Sequence, residues 1–423
     1  MSKPSVSILH YTAPPVVGGV EATIRDHARL LARRNYPVEI VAGRGRAWHR
    51  KLEMRLIPEA DSMHPDVVRV TQALEQGVMP PAFHDLRDTL RARLRRVLEG
   101  KEICFVHNVL CLHFNLPLTA AIHDLIDEGW PTRFVAWNSD FSWTDPAQRS
   151  KMHSGFPWDL LRRPREELTY VVISEDRRQE LAGLLGVNAQ LIHVIPPGVS
   201  LAAFFRLTSV TRDLVEELFL LDAELLLLLP ARITRLKNVE MAIEVICALR
   251  ERGVNAWLIV TGPPDPHSAT ELAYVDELRE LCRENDVEDE VVFMYEHGPD
   301  SSAPLLLSDE VVNDLYQIAD ALFFPSRSEG FGIPVLEAGL ARVPVFCSDI
   351  PPFHESAGEH AHFFKLDAHP SAIADLIMDV MRQDAIYALR QRVMERYAWR
   401  TIMSELIEPL IDELTENLNG KGR

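Results

Sequence analysis

Residues 325–337 read Pro325-Ser326-Arg327-Ser328-Glu329-Gly330-Phe331-Gly332-Ile333-Pro334-Val335-Leu336-Glu337. The apolar run Ala321 to Phe324 before them predicts a buried strand. Gly330 and Gly332 predict a turn. Pro334 suits the first residue of a helix, because its fixed φ matches the helix and its missing N–H is not needed there. The pattern is strand, glycine loop, helix N-terminus. Such a terminus carries free N–H groups and partial positive charge, so it receives phosphate. Glu329 and Glu337 would repel phosphate but suit sugar hydroxyls, which donate hydrogen bonds to carboxylates. Each glutamate alone also reads as an ordinary helix-end residue. The glycines favour the ligand reading, since they let a ligand approach the backbone. Phosphate and sugar together point to a nucleotide sugar.

Working outward, strands alternate with helices along the whole chain. In the first half, strands are predicted at Val6 to His10, Val38 to Ala42, Ile103 to His107, Phe134 to Trp137, Tyr170 to Ser174 and His193 to Ile195. A helix from Val20 to Arg34 follows the first strand, and Ser174 is placed to cap a helix over Glu175 to Leu185. Residues after Ala42 form an irregular, charged region. The second half restarts the alternation, with strands at Leu225 to Leu229, Trp257 to Thr261, Val291 to Tyr295, Ala321 to Phe324, Val343 to Cys347 and His362 to Leu366. Its helices are predicted at Asn238 to Arg250, Glu271 to Glu284 and Val311 to Ala319. Apolar strands alternating with amphipathic helices predict parallel sheets covered on both faces. Two Rossmann-like, doubly wound domains facing a central cleft are therefore expected, at residues 1–205 and 206–396. A helix over residues 397–418 is expected to cross back onto the first.

Length and charge narrow the function. A chain of 423 residues exceeds a single ordinary core. A net charge of −18 disfavours general nucleic-acid binding, which needs a basic surface. Arg91, Arg93, Arg95 and Arg96 offer a peripheral contact with anionic lipid, although a solvated helix face is the commoner role of such a run. No apolar run approaches the roughly 20 residues of a membrane span. The N-terminus shows no apolar signal core, so a cytoplasmic location is expected. Five scattered cysteines without a CxxC pair argue against disulfides and structural zinc. Cys104, Cys247 and Cys347 are expected to be buried.

Further constellations sit at predicted strand ends. Arg232 and Lys237 flank the loop after Leu229, where two cations suit a diphosphate or simply face solvent; Arg235 competes with both. Gly18 and Gly19, between the first strand and first helix, let the backbone approach a ligand but lack dinucleotide-site spacing. His107 and Asn108 end one strand, and Asn138, Ser139 and Asp140 end another, placing polar groups for a ligand or for turns. Trp137 and Trp143 suit either a sugar ring or the core.

Taken together, these segments resemble a retaining glycosyltransferase of family 4 (the group 1 glycosyl transferases), which has the GT-B fold. The resemblance rests on Glu329 and Glu337, separated by seven residues with Gly330-Phe331-Gly332-Ile333-Pro334 between them. Arg232 with Lys237, Gly18-Gly19, Ile195-Pro196-Pro197-Gly198 and the run Pro344 to Asp349 support it. The resemblance implies transfer of a hexose from a UDP- or GDP-linked sugar to an acceptor hydroxyl. Arg232 and Lys237 would hold the diphosphate and Glu337 the ribose. Glu329 with the Phe331, Gly332 and Ile333 backbone would hold the sugar. Gly18 and Gly19 would meet the phosphates or the acceptor, and Phe293 to Tyr295 would lie near the base. Arg232, Lys237 and Glu329 are the expected catalytic groups; His107, Asn138, Ser139 and Asp140 are the expected acceptor or sugar contacts. No DxD-type motif stands in a metal-binding context, so no metal or cofactor is expected. One departure stands out: family members commonly carry His-Asp where this chain has Ser139-Asp140, and serine supplies no imidazole. A non-catalytic sugar-nucleotide binder and a nucleotide-sugar epimerase are the alternatives.

Overall fold

A computed structural model describes residues 3–48, 52–264, 269–298 and 305–420. The chain forms two compact units, Met1–Val199 with Glu395–Arg423, and Ser200–Met394. The division falls at Val199–Ser200 rather than at 205–206, and the second unit ends at Met394 rather than at 396.

Among the described residues, the first unit is built on seven strands: β1 (Val6–Thr12), β2 (Val38–Arg44), β3 (Glu53–Leu56), β4 (Ile103–His107), β5 (Arg133–Asn138), β6 (Leu168–Val172) and β7 (Ile192–Val194). Their order is β3-β2-β1-β4-β5-β6-β7, and every pair is parallel. Successive residues along a strand point to opposite faces. Accordingly Leu9, Cys104 and Val106 join one core, while Val6, Ile8, Ile103 and Phe105 join another. The first core meets helices Pro65–Glu75, Ala82–Val97 and Leu116–Asp127. The second meets helix Gly19–Arg33 and the C-terminal segment. That segment does return to this unit. Val199 N–H donates to the Tyr397 carbonyl (2.7 Å) and Trp399 N–H to the Val199 carbonyl (3.1 Å), and Ile402, Met403, Ile407 and Ile411 are buried. It starts at Trp399 rather than 397 and contains a π-helical turn, Met403–Ile407.

The expected irregular region is in fact β3 and the first two of those helices. Strand β3 is a largely exposed edge strand without apolar alternation, which hid it. Helix Ala82–Val97 buries Phe83, Leu86, Leu90 and Leu94 at helical spacing, beneath the arginines that dominate its sequence.

Among the described residues, the second unit carries six parallel strands: β8 (Leu225–Leu229), β9 (Ala256–Val260), β10 (Val291–Phe293), β11 (Ala321–Phe324), β12 (Val345–Ser348) and β13 (His362–Phe364). Their order is β10-β9-β8-β11-β12-β13 around one continuous core. Strand β10 stops at Phe293, ahead of the expected Tyr295. Cys104 and Cys347 are buried as expected, but Cys247 is only half-buried. No helix among the described residues is long and apolar enough to cross a membrane.

Candidate active site

Strand order reverses between β8 and β11 in the second sheet and between β1 and β4 in the first. In doubly wound sheets, ligands sit at the carboxyl ends of strands beside such reversals. The loops after β8 and β11 are the two that carry Arg232, Lys237 and Glu329. Lys237 Nζ forms an ion pair with Glu329 Oε1, so residues far apart in sequence meet here. Asn238 joins the two loops. It adopts a left-handed conformation (φ 55°), tolerated by asparagine, and its Nδ2 donates to the Pro325 carbonyl (3.1 Å). Arg327 Nη2 donates to Asn238 Oδ1 (2.6 Å), and the Arg327 N–H to the Leu236 carbonyl (2.8 Å). Arg232 is exposed beside them.

The glycine loop then enters helix Ile333–Ala341, with Gly332 at its N-cap and Pro334 in its first two positions. No side chain caps this end and its first turn holds no acidic residue; Pro334 has no N–H and the Val335 N–H donates to the Gly332 carbonyl (2.9 Å), so within this turn the Ile333 N–H is left for an external anion. Gly332 has φ 90°, and a Cβ there would lie 2.8 Å from the Phe353 ring; Gly330 has open space. Phe331 and Ile333 are exposed. Glu337 lies beyond the first turn, and its Oε2 accepts from the Tyr316 hydroxyl (2.8 Å).

In the first unit, a cavity of about 270 Å³ is lined by Gly19, His27, His107, Trp137, Ser139 and Asp140, and closed by Ile195, Pro196 and Pro197. His107 stacks on Trp137 (5.4 Å between centroids, 24°), and its carbonyl accepts from His10 Nδ1 (2.8 Å). Burial holds both imidazoles neutral: it pushes His27 down to about 3 and, with His27 and His10 nearby, His107 well below the ordinary range. Ser139 is fixed through its N–H, which donates to Asn108 Oδ1 (2.7 Å). Behind the cavity, Glu21 turns back towards Gly18, where a Cβ would sit 2.1 Å from its Oε2, and Thr12 Oγ donates to its Oε1. A carboxylate of the chain thus occupies the helix start that a phosphate would need.

Residues 17–203 match the family model described as Glycosyltransferase Family 4, and residues 212–398 the model described as Glycosyl transferases group 1. The chain belongs to the family 4, group 1 glycosyltransferases. Its two doubly wound units are those expected of the GT-B fold. Among its relatives, the serotype-specific mannosyltransferase WbdA of Escherichia coli is 46% identical over 71 residues, 17% of this chain and 9% of that protein. Mannosylfructose-phosphate synthase of Agrobacterium fabrum is 27% identical over 159 residues, covering 38% and 33%. D-inositol 3-phosphate glycosyltransferase of Kineococcus radiotolerans is 28% identical over 255 residues, covering 56% and 55%. Each match spans less than two thirds of the relative's own length.

In this family member several of the residues considered for ligand contact have partners within the protein. Arg235 pairs with Glu277 (2.6 Å) and sits 4.5 Å over the Tyr274 ring. Asn138 is buried with its Nδ2 donating to the Ala136 carbonyl (3.0 Å), and it does not line the cavity that Ser139 and Asp140 share. Trp143 is buried outside that cavity, with Arg162 stacked 3.8 Å over its ring. Of the basic cluster, Arg91 and Arg95 pair with Glu128, and Arg93 with Glu59. Sequence reasoning missed Asn238 as a link, Tyr316, and Ser348, whose Oγ donates to the Ser326 carbonyl (2.7 Å) and steadies the loop before Glu329. Only Ser348 had a signal, as part of the run Pro344 to Asp349.

Proposed function

We propose that this glycosyltransferase moves a hexose from a UDP- or GDP-linked sugar to an acceptor hydroxyl, with retention at the anomeric carbon and without a resident metal. The Lys237–Glu329 contact at the reversal of the second sheet carries this reading, because it gathers a cation and a carboxylate beside an uncapped helix start. On donor binding, Lys237 exchanges Glu329 for the diphosphate. That frees the Glu329 carboxylate for sugar hydroxyls, while Glu337 takes the ribose. As the bond from the anomeric carbon to the phosphate oxygen breaks, Arg232, Lys237 and the N–H groups around Ile333 stabilise the leaving diphosphate. The acceptor oxygen bonds to the same face, and its proton passes to the leaving phosphate oxygen. A double displacement would need a carboxylate beneath the sugar, and Glu329, once released by Lys237, is committed to the sugar hydroxyls.

The acceptor belongs to the first unit's cavity, where Gly18 and Gly19 meet it rather than a phosphate. Glu21 behind Gly18 and Asp140 at the wall repel anions, and the two imidazoles are neutral. Among the described residues, no three His, Cys, Asp or Glu side chains are grouped to hold a metal ion.

The test is calorimetric titration of UDP and GDP, with and without magnesium, into wild type and Glu337→Ala. Turnover of the labelled nucleotide sugar is then followed with and without a panel of sugar acceptors. One nucleotide should bind without magnesium and raise stability by ~2.7 kcal/mol at a hundredfold excess over its Kd, and the variant should lose this. Binding without transfer to any acceptor would favour the non-catalytic binder; turnover without acceptor would favour the epimerase. Absence of binding by either nucleotide would refute the donor site.

A further inference from the structure

Tyr316 belongs to helix Asp309–Ile318 and is 2% exposed, yet its hydroxyl reaches the helix that carries Glu337. Two oxygens stand before it: Glu337 Oε2 at 2.8 Å and the Pro334 carbonyl at 3.3 Å. A phenol has one proton to give, and the nearer, charged acceptor takes it. Satisfying a buried phenol needs only one partner, and the carbonyl alone would serve. The contact with Glu337 therefore does something further. Glu337 is only partly buried, and its side chain would otherwise sample several rotamers. Tyr316 removes that freedom through Oε2 and leaves Oε1 with no partner among the described residues. A carboxylate held by one oxygen presents the other, with two lone pairs, to neighbouring hydroxyls. Burial and Glu337 together push the phenol's pKa up, so it remains a donor throughout the working pH range.

We infer that Tyr316 is a positioning residue for nucleotide recognition, aiming the Glu337 carboxylate at the vicinal hydroxyls of the donor ribose. The inference rests on the proposed donor site and adds a residue to it. Its signature is dependence on the ribose hydroxyls, which a merely structural tyrosine would not show.

The experiment measures Kd by calorimetry for UDP, GDP and their 2′,3′-dideoxy counterparts on the full chain, as wild type, Tyr316→Phe and Glu337→Gln. Thermal melting checks that each variant is folded. Tyr316→Phe should weaken the preferred diphosphate by about tenfold or more, the scale of a hydrogen bond to a charged group. Its affinity for the dideoxy counterpart should stay within about twofold of the wild-type value, because the hydroxyls that Glu337 serves are absent. Equal weakening of both ligands, or no weakening of either, would overturn the role of Tyr316. If Glu337→Gln binds the diphosphate as wild type does, or no diphosphate binds at all, the donor-site reading itself fails. A normal loss with Glu337→Gln beside an unaffected Tyr316→Phe isolates failure of the inference alone.

Discussion

Two glycines in the loop before helix Ile333–Ala341 should respond oppositely to the same added methyl group. Gly332 has φ 90°, a conformation that costs a side-chain-bearing residue about 1–2 kcal/mol. A Cβ there would also lie 2.8 Å from both Cδ1 and Cε1 of Phe353 and 3.4 Å from Ser356 Oγ. Phe353 is fully buried against Phe324, so its ring has little room to withdraw. Overpacking of this kind costs about 1–3 kcal/mol, and Gly332→Ala should therefore lose about 2–5 kcal/mol in all. Gly330 has no atom within 4 Å of a hypothetical Cβ, so Gly330→Ala should stay within about 0.5 kcal/mol of wild type. Urea unfolding followed by circular dichroism measures both. Six of the seven tryptophans (48, 130, 137, 143, 158 and 399) lie in the first unit, so tryptophan fluorescence tracks a region the substitution does not touch. Equal midpoints for Gly332→Ala and wild type, or equal losses for the two variants, would refute the reasoning from backbone angle and ring contact.

Two stability predictions stand beside it. Arg390 pairs with buried Asp320, whose other oxygen accepts from the Leu226 N–H (2.8 Å), so Arg390→Met should strand a buried carboxylate and cost about 3–5 kcal/mol in urea unfolding. Adding Asp320→Asn should recover part of that loss; a fully additive double variant would show that the two groups are not coupled. His27 is neutral when folded, with its pKa pushed down from 6.5 to about 3 by burial. Between those values the unfolded chain binds a proton that the folded chain does not, so stability falls with falling pH by about 1.4 kcal/mol per unit for this one group. His27→Phe, placed among Phe105, Trp137 and Trp399, should flatten the acid limb of stability against pH by that amount; an unchanged slope would mean His27 titrates in the folded state.

The parts of the fold legible in the sequence were those where one physical demand left one pattern. Strand β8 is five consecutive leucines, buried because both faces of a parallel sheet are covered. Ser174 caps its helix by accepting from the Arg177 N–H (3.2 Å), as the serine and the acidic first turn imply. Strand β3 was illegible for the converse reason: at an edge, with Glu53 and Arg55 facing solvent, it makes no apolar demand. The arginines of helix Ala82–Val97 form the largely solvated face that such a run implies, but their partners, Asp124 in helix Leu116–Asp127 and Glu128 at its C-cap, are not placed beside them by the sequence.

The candidate site divides along the same line. Gly332, Pro334 and the uncapped helix start are consequences of local backbone geometry, and a local motif reveals them. Tyr316 and Asn238 act across tertiary contacts, and neither residue type nor spacing marks them in advance. Ser139 shows why the distinction bears on function. Read as a letter in a motif, it is a missing imidazole. In the structure, Asn108 holds its backbone N–H, and His107 and His27 already bring imidazoles to the same cavity, both kept neutral by burial. A histidine at 139 would stand near the exposed Asp140 carboxylate and would be drawn towards its charged form. Serine instead leaves the cavity without a cation among its lining residues, which suits the uncharged hydroxyl acceptor proposed for it.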